Sequence, residues 1–174
     1  MTRACLGLGG NIHPRISFLS TARNWISHQH GIRVLRAASL YESEPWGNPD
    51  QPLFLNSALL ISTDIPPREL LHLLKEIERK TGRISSSRWG PREIDLDILY
   101  YGDRIIKEPD LTIPHAHLLA RSFALYPAVE LDPLWVHPER QVPLHKLMQE
   151  LTFVTFSHRI DHQNWPVGPV TESK

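Results

Sequence analysis

Residues 88–101 read RWGPREIDLDILYY. From Ile94 onward the run alternates with the two-residue period of a strand, which predicts Ile94, Leu96, Ile98 and Tyr100 on one face and Asp95, Asp97 and Leu99 on the other. Two carboxylates on one pleated face lie about 6 to 7 Å apart and repel each other unless something positive sits between them. Acidic side chains are also depleted from strand interiors. A divalent cation resolves the conflict, and an oxygen-only donor pair suits magnesium, which keeps several waters and takes one or two protein carboxylates plus substrate phosphates. The competing reading is an edge strand with a solvated polar face. The residues just upstream weigh against it. Arg88 and Arg92 flank a stiff Trp89-Gly90-Pro91 turn, and guanidinium forks beside a metal-type acidic pair are what phosphoryl transfer requires.

Working outward, Arg83-Ile84-Ser85-Ser86-Ser87 is a small-residue segment, expected to be mobile, that carries Arg83 toward the aspartates. Before it, Asp64 and Pro66-Pro67 open a helix through Lys80, with Leu70, Leu74 and Ile77 inward and Gly82 as its stop. Leu53–Ser62 and Ile32–Tyr41 read as strands. The connection between them, Glu42 to Pro52, holds three prolines, a glycine and Trp46 in eleven residues, the composition of a loop that binds or covers something. Pro14 opens a helix to about Gln29, and Arg3–Gly9 is a first strand. On the other side, Tyr101-Gly102-Asp103-Arg104 predicts a hairpin turn into Ile105-Ile106. His115-Ala116-His117 lacks the Glu or Cys partners of a metal site, so one of these histidines is expected to bond an anion. Helices follow from about Leu118 to Val129 and from Pro143 to Leu151.

Strand, helix, strand, strand, helix, strand is a split β-α-β unit used twice. It predicts an α+β, ferredoxin-like fold with helices on one face of an antiparallel sheet. At 174 residues the chain supports one core, so a single domain over 1–158 is expected, with an irregular C-terminal tail over 159–174. Nineteen basic residues balance nineteen acidic ones, which removes any net field toward nucleic acid or anionic membrane. Cys5 is the single cysteine, so no intramolecular disulfide forms and a reducing compartment is expected. Ala4–Leu8 is shorter than a signal-peptide core and no window approaches about 20 apolar residues, so a cytoplasmic monomer is the expectation.

With these residues in view, the chain resembles the 6-hydroxymethyl-7,8-dihydropterin pyrophosphokinase family of folate biosynthesis. The resemblance runs from about Ala4 to Asp132 and rests first on RWGPREIDLDIL. Leu8-Gly9-Gly10-Asn11, Asp50-Gln51-Pro52, Phe54-Leu55-Asn56, Gly82-Arg83 and Pro114-His115 with Arg121 and Phe123 support it. It implies pyrophosphate transfer from ATP to a pterin alcohol, with Asp95 and Asp97 holding two magnesium ions and Arg83 and Arg92 acting on the transferring group. Glu78, Arg88, Trp89, Ile98, Thr112, His115 and Arg121 would surround the nucleotide. The pterin would lie between Phe54 and Phe123, bonded by Asn56 and the backbone near Ser43 and Trp46. The chain departs from the common pattern at Gly10, where serine is frequent and little consequence is expected, and at Ser85 to Ser87, where basic residues are frequent. Two other readings of the fold plan are a nucleotidyltransferase and an RNA-binding module. The first needs a basic track and the second an aromatic-glycine strand motif, and the sequence shows neither.

Overall fold

A computed structural model describes residues 1–84, 90–151 and 157–169. Among them, in chain order, are β1 (Thr2–Gly10), α1 (Arg15–Ser27), β2 (Ile32–Ala37), β3 (Leu40–Ser43), β4 (Phe54–Thr63), α2 (Pro67–Thr81), β5 (Asp95–Tyr101), β6 (Ile106–Glu108), β7 (Leu111–Ile113), a 3-10 turn (Leu118–Ala120), α3 (Ser122–Leu131), β8 (Val136–His137), β9 (Val142–Pro143), α4 (Leu144–Glu150), β10 (Ser157–Ile160) and β11 (Gly168–Pro169). This is a mixed α/β fold on an antiparallel sheet. β1 lies between β4 and β5, and β4 also pairs with β2 and β3, the two halves of the single strand predicted over Ile32–Tyr41. At the break the backbone groups find other partners. The Ala38 carbonyl accepts from Ser57 Oγ (3.0 Å) and Trp165 Nε1 (2.8 Å), while Ser39 donates from its N–H and hydroxyl to Glu130.

Helices cover both faces, which corrects the expectation of one. α1 and α2 bury Leu19, Ala22, Ile26, Leu70, Leu74 and Ile77 against Leu6, Leu8, Ile61, Leu96 and Ile98. On the opposite face, α3 and α4 bring Leu125, Ala128, Leu131 and Leu144 onto Cys5, Ala58, Leu60, Leu99 and Tyr100. The sign of this lay in β4, whose FLNSALLIST is buried at nearly every position, as in a strand covered on both sides. α2 ends as predicted, with Gly82 in the left-handed region at φ 108°.

Two further expectations are corrected. In β5 the pairing steps from Leu6↔Ile98 to Cys5↔Tyr100, so one extra residue bulges from the strand and reverses the alternation beyond it. Tyr100 therefore faces α3, stacked on Trp135 with ring centroids 4.2 Å apart, and Tyr101 takes the face expected of it. β6 turns forward to pair with β7 rather than folding back on β5. Of the tail expected to be irregular, residues 159–169 are docked on the sheet: β10 pairs with β3, β11 pairs with β2, and Trp165 between them is 3% exposed. Its composition shows no periodicity because its strands are short and supply few core side chains. No helix among the described residues is long and apolar enough to cross a membrane.

Candidate active site

The floor of the site is made by missing side chains. Asp95 is registered against Gly9 and Asp97 against Gly7, so the strand beside the aspartates leaves its surface open on that face. Asn56 on β4 is registered against the same Gly9, which places Asn56, Gly9 and Asp95 in one row across three strands. A Cβ at Gly9 would come within 2.8 Å of Asn56 Oδ1. The cavity above this floor is lined by Ser43, Trp46, Phe54, Asn56, Arg92, Asp95, Asp97, His115, Arg121 and Phe123, all predicted, together with Gly7, Gly9, Gln51 and Leu99.

The two aspartates differ in their partners. Asp95 accepts from Arg83 Nη1 at 2.7 Å and Arg92 Nη1 at 2.5 Å, with Lys75 Nζ 3.9 Å away. Burial alone would raise its pKa, but the positive charges of Lys75, Arg92 and Arg83 outweigh burial and hold the carboxyl below its ordinary value. Asp97 is pushed up, first by burial and then by the negative charge of Asp95, with Lys75, His115 and Arg121 offsetting part of this. His115 is pushed below the usual histidine range by burial, against the pull of Asp97. The charged form of Asp97 is therefore disfavoured in the free chain, and a cation bound between the two carboxylates would favour it. Among the described residues no group of three or more His, Cys, Asp or Glu gathers into an all-protein metal cage. A two-carboxylate set fits a cation that completes its shell with water and phosphate.

Sequence reasoning missed Lys75. β5 is an edge strand near the aspartates, and α2 satisfies its open edge: Glu78 Oε1 accepts from Leu96 N at 2.7 Å, and Lys75 Nζ donates to Leu96 O at 3.0 Å and to Glu78 at 2.7 Å. Glu78 Oε2 also accepts from Arg83 Nη1. One turn of helix thus grips both polar groups of the residue between Asp95 and Asp97. The signal in the sequence was a Lys and a Glu at i,i+3 one turn before the helix stop, which reads equally as an ordinary surface pair.

A second missed device is Asn11, fully buried. Its Nδ2 donates to Gln51 Oε1 and Pro52 O, both at 3.1 Å, and its Oδ1 accepts from Arg92 N at 2.8 Å. It joins the loop after β3 to the segment that carries Arg92. Gly10 beside it corrects the expectation of little consequence: a Cβ there would lie 2.4 Å from Glu93 O, so glycine lets the Arg92–Glu93 backbone approach β1.

On the aromatic side, Asn56 Nδ2 donates to Ser43 Oγ at 3.0 Å, and the Arg121 guanidinium sits 5.4 Å from the Trp46 ring centroid and 5.7 Å from that of Phe123. Four predicted nucleotide residues do not line the cavity: Ile98 turns into the core under α2, Thr112 is exposed on β7, and Glu78 and Arg83 stand behind Asp95 and Leu96. Arg88, Trp89 and the serines 85 to 87 lie outside the described residues, so of the segment expected to be mobile only Arg83 and Ile84 are described, Arg83 on Glu78 and Asp95 and Ile84 N on Glu93.

Paired carboxylates ringed by guanidinium groups, opening onto a slot walled by aromatic rings and one amide, suit a transferase of phosphoryl-type groups with a flat second substrate. The profile of the 7,8-dihydro-6-hydroxymethylpterin-pyrophosphokinase family matches residues 5–133, and the chain belongs to that family. It is 38% identical over 169 residues to the 2-amino-4-hydroxy-6-hydroxymethyldihydropteridine pyrophosphokinase of Synechocystis sp., covering 97% of this chain and 82% of that one. It is likewise 38% identical over 156 residues to the enzyme of the same name from Aquifex aeolicus, covering 90% and 96%. A crystal structure of wild-type Plasmodium falciparum HPPK-DHPS superposes with a TM-score of 0.66 at 16% identity, a likeness of fold. This chain covers 44% of that longer one.

Proposed function

We propose that the chain transfers pyrophosphate from ATP to the hydroxymethyl group of 6-hydroxymethyl-7,8-dihydropterin, releasing AMP and the pterin diphosphate, a step of folate biosynthesis. The family and its named relatives support the reaction. The observation that carries it to residues is the single cavity joining the Asp95–Asp97 pair to the Asn56, Phe54 and Phe123 slot. We read the scaffold as ferredoxin-like: joined end to end, β2 and β3 flank β4, with β1 and then β5 beyond, the strand order of two interleaved β-α-β units.

Asp95 and Asp97 would hold two magnesium ions, which when bound neutralise phosphate charge and let an oxygen nucleophile approach. The pterin alcohol oxygen attacks the β-phosphorus, its proton passes to solvent, and the bond to the AMP oxygen breaks. Arg83 and Arg92 would leave Asp95 for the phosphates and stabilise charge spreading over the equatorial oxygens. Phe54 and Phe123 would stack on the pterin, and Asn56 would offer donor and acceptor to its edge. His115 and Arg121 would serve the nucleotide. Glu78, among the residues assigned to ATP, would act through Leu96 and Arg83 by holding the carboxylate strand and an arginine in place.

Incubation with ATP, magnesium and the pterin alcohol is expected to give AMP and pterin diphosphate in equal amounts. ADP with a pterin monophosphate, or AMP formed at the same rate without the pterin, would overturn this reading. Salt-dependent binding of an oligonucleotide would favour the nucleic-acid alternatives, which the balanced charge opposes.

A further inference from the structure

We propose that Ser157, on the C-terminal strand β10, is a positioning residue for the pterin slot. It lies beyond residue 133, where the family match ends. The proposal rests on the slot assignment above, and the geometry that carries it is a bond between two buried hydroxyls. Ser157 Oγ and Ser122 Oγ are 2.8 Å apart, with Ser122 1% and Ser157 9% exposed.

Each partner belongs to a different wall of the slot. Ser157 pairs across the ladder with Ser43, whose Oγ accepts from Asn56, so β10 backs the wall formed by β3 and β4. Ser122 stands in the first turn of α3 between Arg121 and Phe123, both on the cavity. The far end of α3 is tied to the sheet by Glu130, which accepts from Ser39 and Tyr41. That anchor is about 12 Å along the helix from Ser122, at 1.5 Å per residue, and the Tyr126–Tyr41 contact lies between them. With the serine pair in place, the first turn of α3 is joined directly to the Ser43–Asn56 wall, in addition to the packing of Leu125 and the contact of Tyr126 with Tyr41 further along the helix. Without it, the turn that carries Phe123 would lose its direct tie to the wall across the slot.

The test is steady-state kinetics with Tm on Ser157→Ala, Ser122→Ala, the double variant, Ser157→Thr and Phe123→Ala. Either single alanine is expected to raise pterin KM about three- to ten-fold, the scale of one buried hydrogen bond, with ATP KM unchanged. The double variant should be no worse than the worse single, since both remove the same bond, and Ser157→Thr should restore the wild-type value. Unchanged pterin KM in both alanine variants, while Phe123→Ala raises it, would overturn the clasp and leave the slot standing. Unchanged pterin KM in Phe123→Ala would instead overturn the slot. Pterin and ATP KM rising together as Tm falls would reduce the pair to a structural role. Should Ser157→Ala fail to fold, Ser122→Ala tests the same bond from the helix.

Discussion

Asp95 and Asp97 share a strand face, yet neighbours give them opposite tendencies: three cations outweigh burial at one, while burial and its neighbour's charge dominate at the other. The same amide substitution should therefore have opposite effects on the free protein. Asp97→Asn is expected to abolish turnover and leave stability equal or higher, because it removes a repelled charge. Asp95→Asn should also abolish turnover but lower stability by about 1 to 3 kcal/mol in urea denaturation, since Arg92 loses its carboxylate and Arg83 keeps only part of its pairing. Equal stability changes would refute this asymmetry. For the aromatic wall, Phe54→Ala and Phe123→Ala should each weaken pterin binding by about 1 to 3 kcal/mol, by analogy with base stacking, and leave ATP binding unchanged by calorimetry. Equal loss of ATP affinity would make them core residues. The aspartates, arginines and phenylalanines were legible because their chemistry conflicts with plain packing. Gly7 was not, and Gly9 entered only as part of Leu8-Gly9-Gly10-Asn11, because a glycine's value here lies in which residue the next strand sets beside it.

At the scale of elements, most helices and strands follow from periodicity, and the errors fall where tertiary partners decide. The β5 bulge turns Tyr100 over, and the break at Ala38–Ser39 is sustained by Trp165 and Glu130, residues about a hundred positions distant. Neither was visible locally. The grip of α2 on the edge of β5 gives the element-scale prediction. Lys75→Met keeps the length of the side chain on the helix but removes the donor to Leu96 O and the partner of Glu78. A small displacement of the carboxylate strand should lower kcat/KM by about ten-fold or more, given that about 1 Å of misplacement can cost a hundred-fold, while pterin affinity stays unchanged. Wild-type kcat/KM in this variant would show that β5 holds its own position. The docked tail makes a separate claim. Trp165→Ala removes a nearly buried indole and its bond to Ala38 O, and should cost about 3 to 5 kcal/mol in chemical denaturation. A cost near zero would mean that β2 and β3 keep their places without the tail.

Across the whole molecule the two halves of the cavity are joined through Asn11, and this joint is expected to set the order in which substrates bind. In the free chain Arg83 and Arg92 are spent on Asp95, so the charge available to an incoming phosphate is partly neutralised. A nucleotide arriving with its cation would replace them on the aspartates and offer them phosphate oxygens instead. Arg92 cannot move alone: its backbone N–H donates to Asn11 Oδ1 and its carbonyl accepts from Asn11 N, while Asn11 Nδ2 holds Gln51 and Pro52 on the loop beside the pterin slot. Drawing Arg92 toward phosphate would therefore pull the loop beside the aromatic slot through a bonded, buried amide. Nucleotide should bind first and improve the slot for the pterin. The measurement is pterin affinity by calorimetry, with and without magnesium and a non-transferable ATP analogue. Affinity is expected to rise with the analogue, and linkage requires an equal gain for the analogue when pterin is already bound. In Asn11→Ala, where the joint between the two loops is cut, the gain should shrink. Equal pterin affinity with and without the analogue in the wild-type chain would mean that the slot is preformed and that Asn11 only fixes the resting loops.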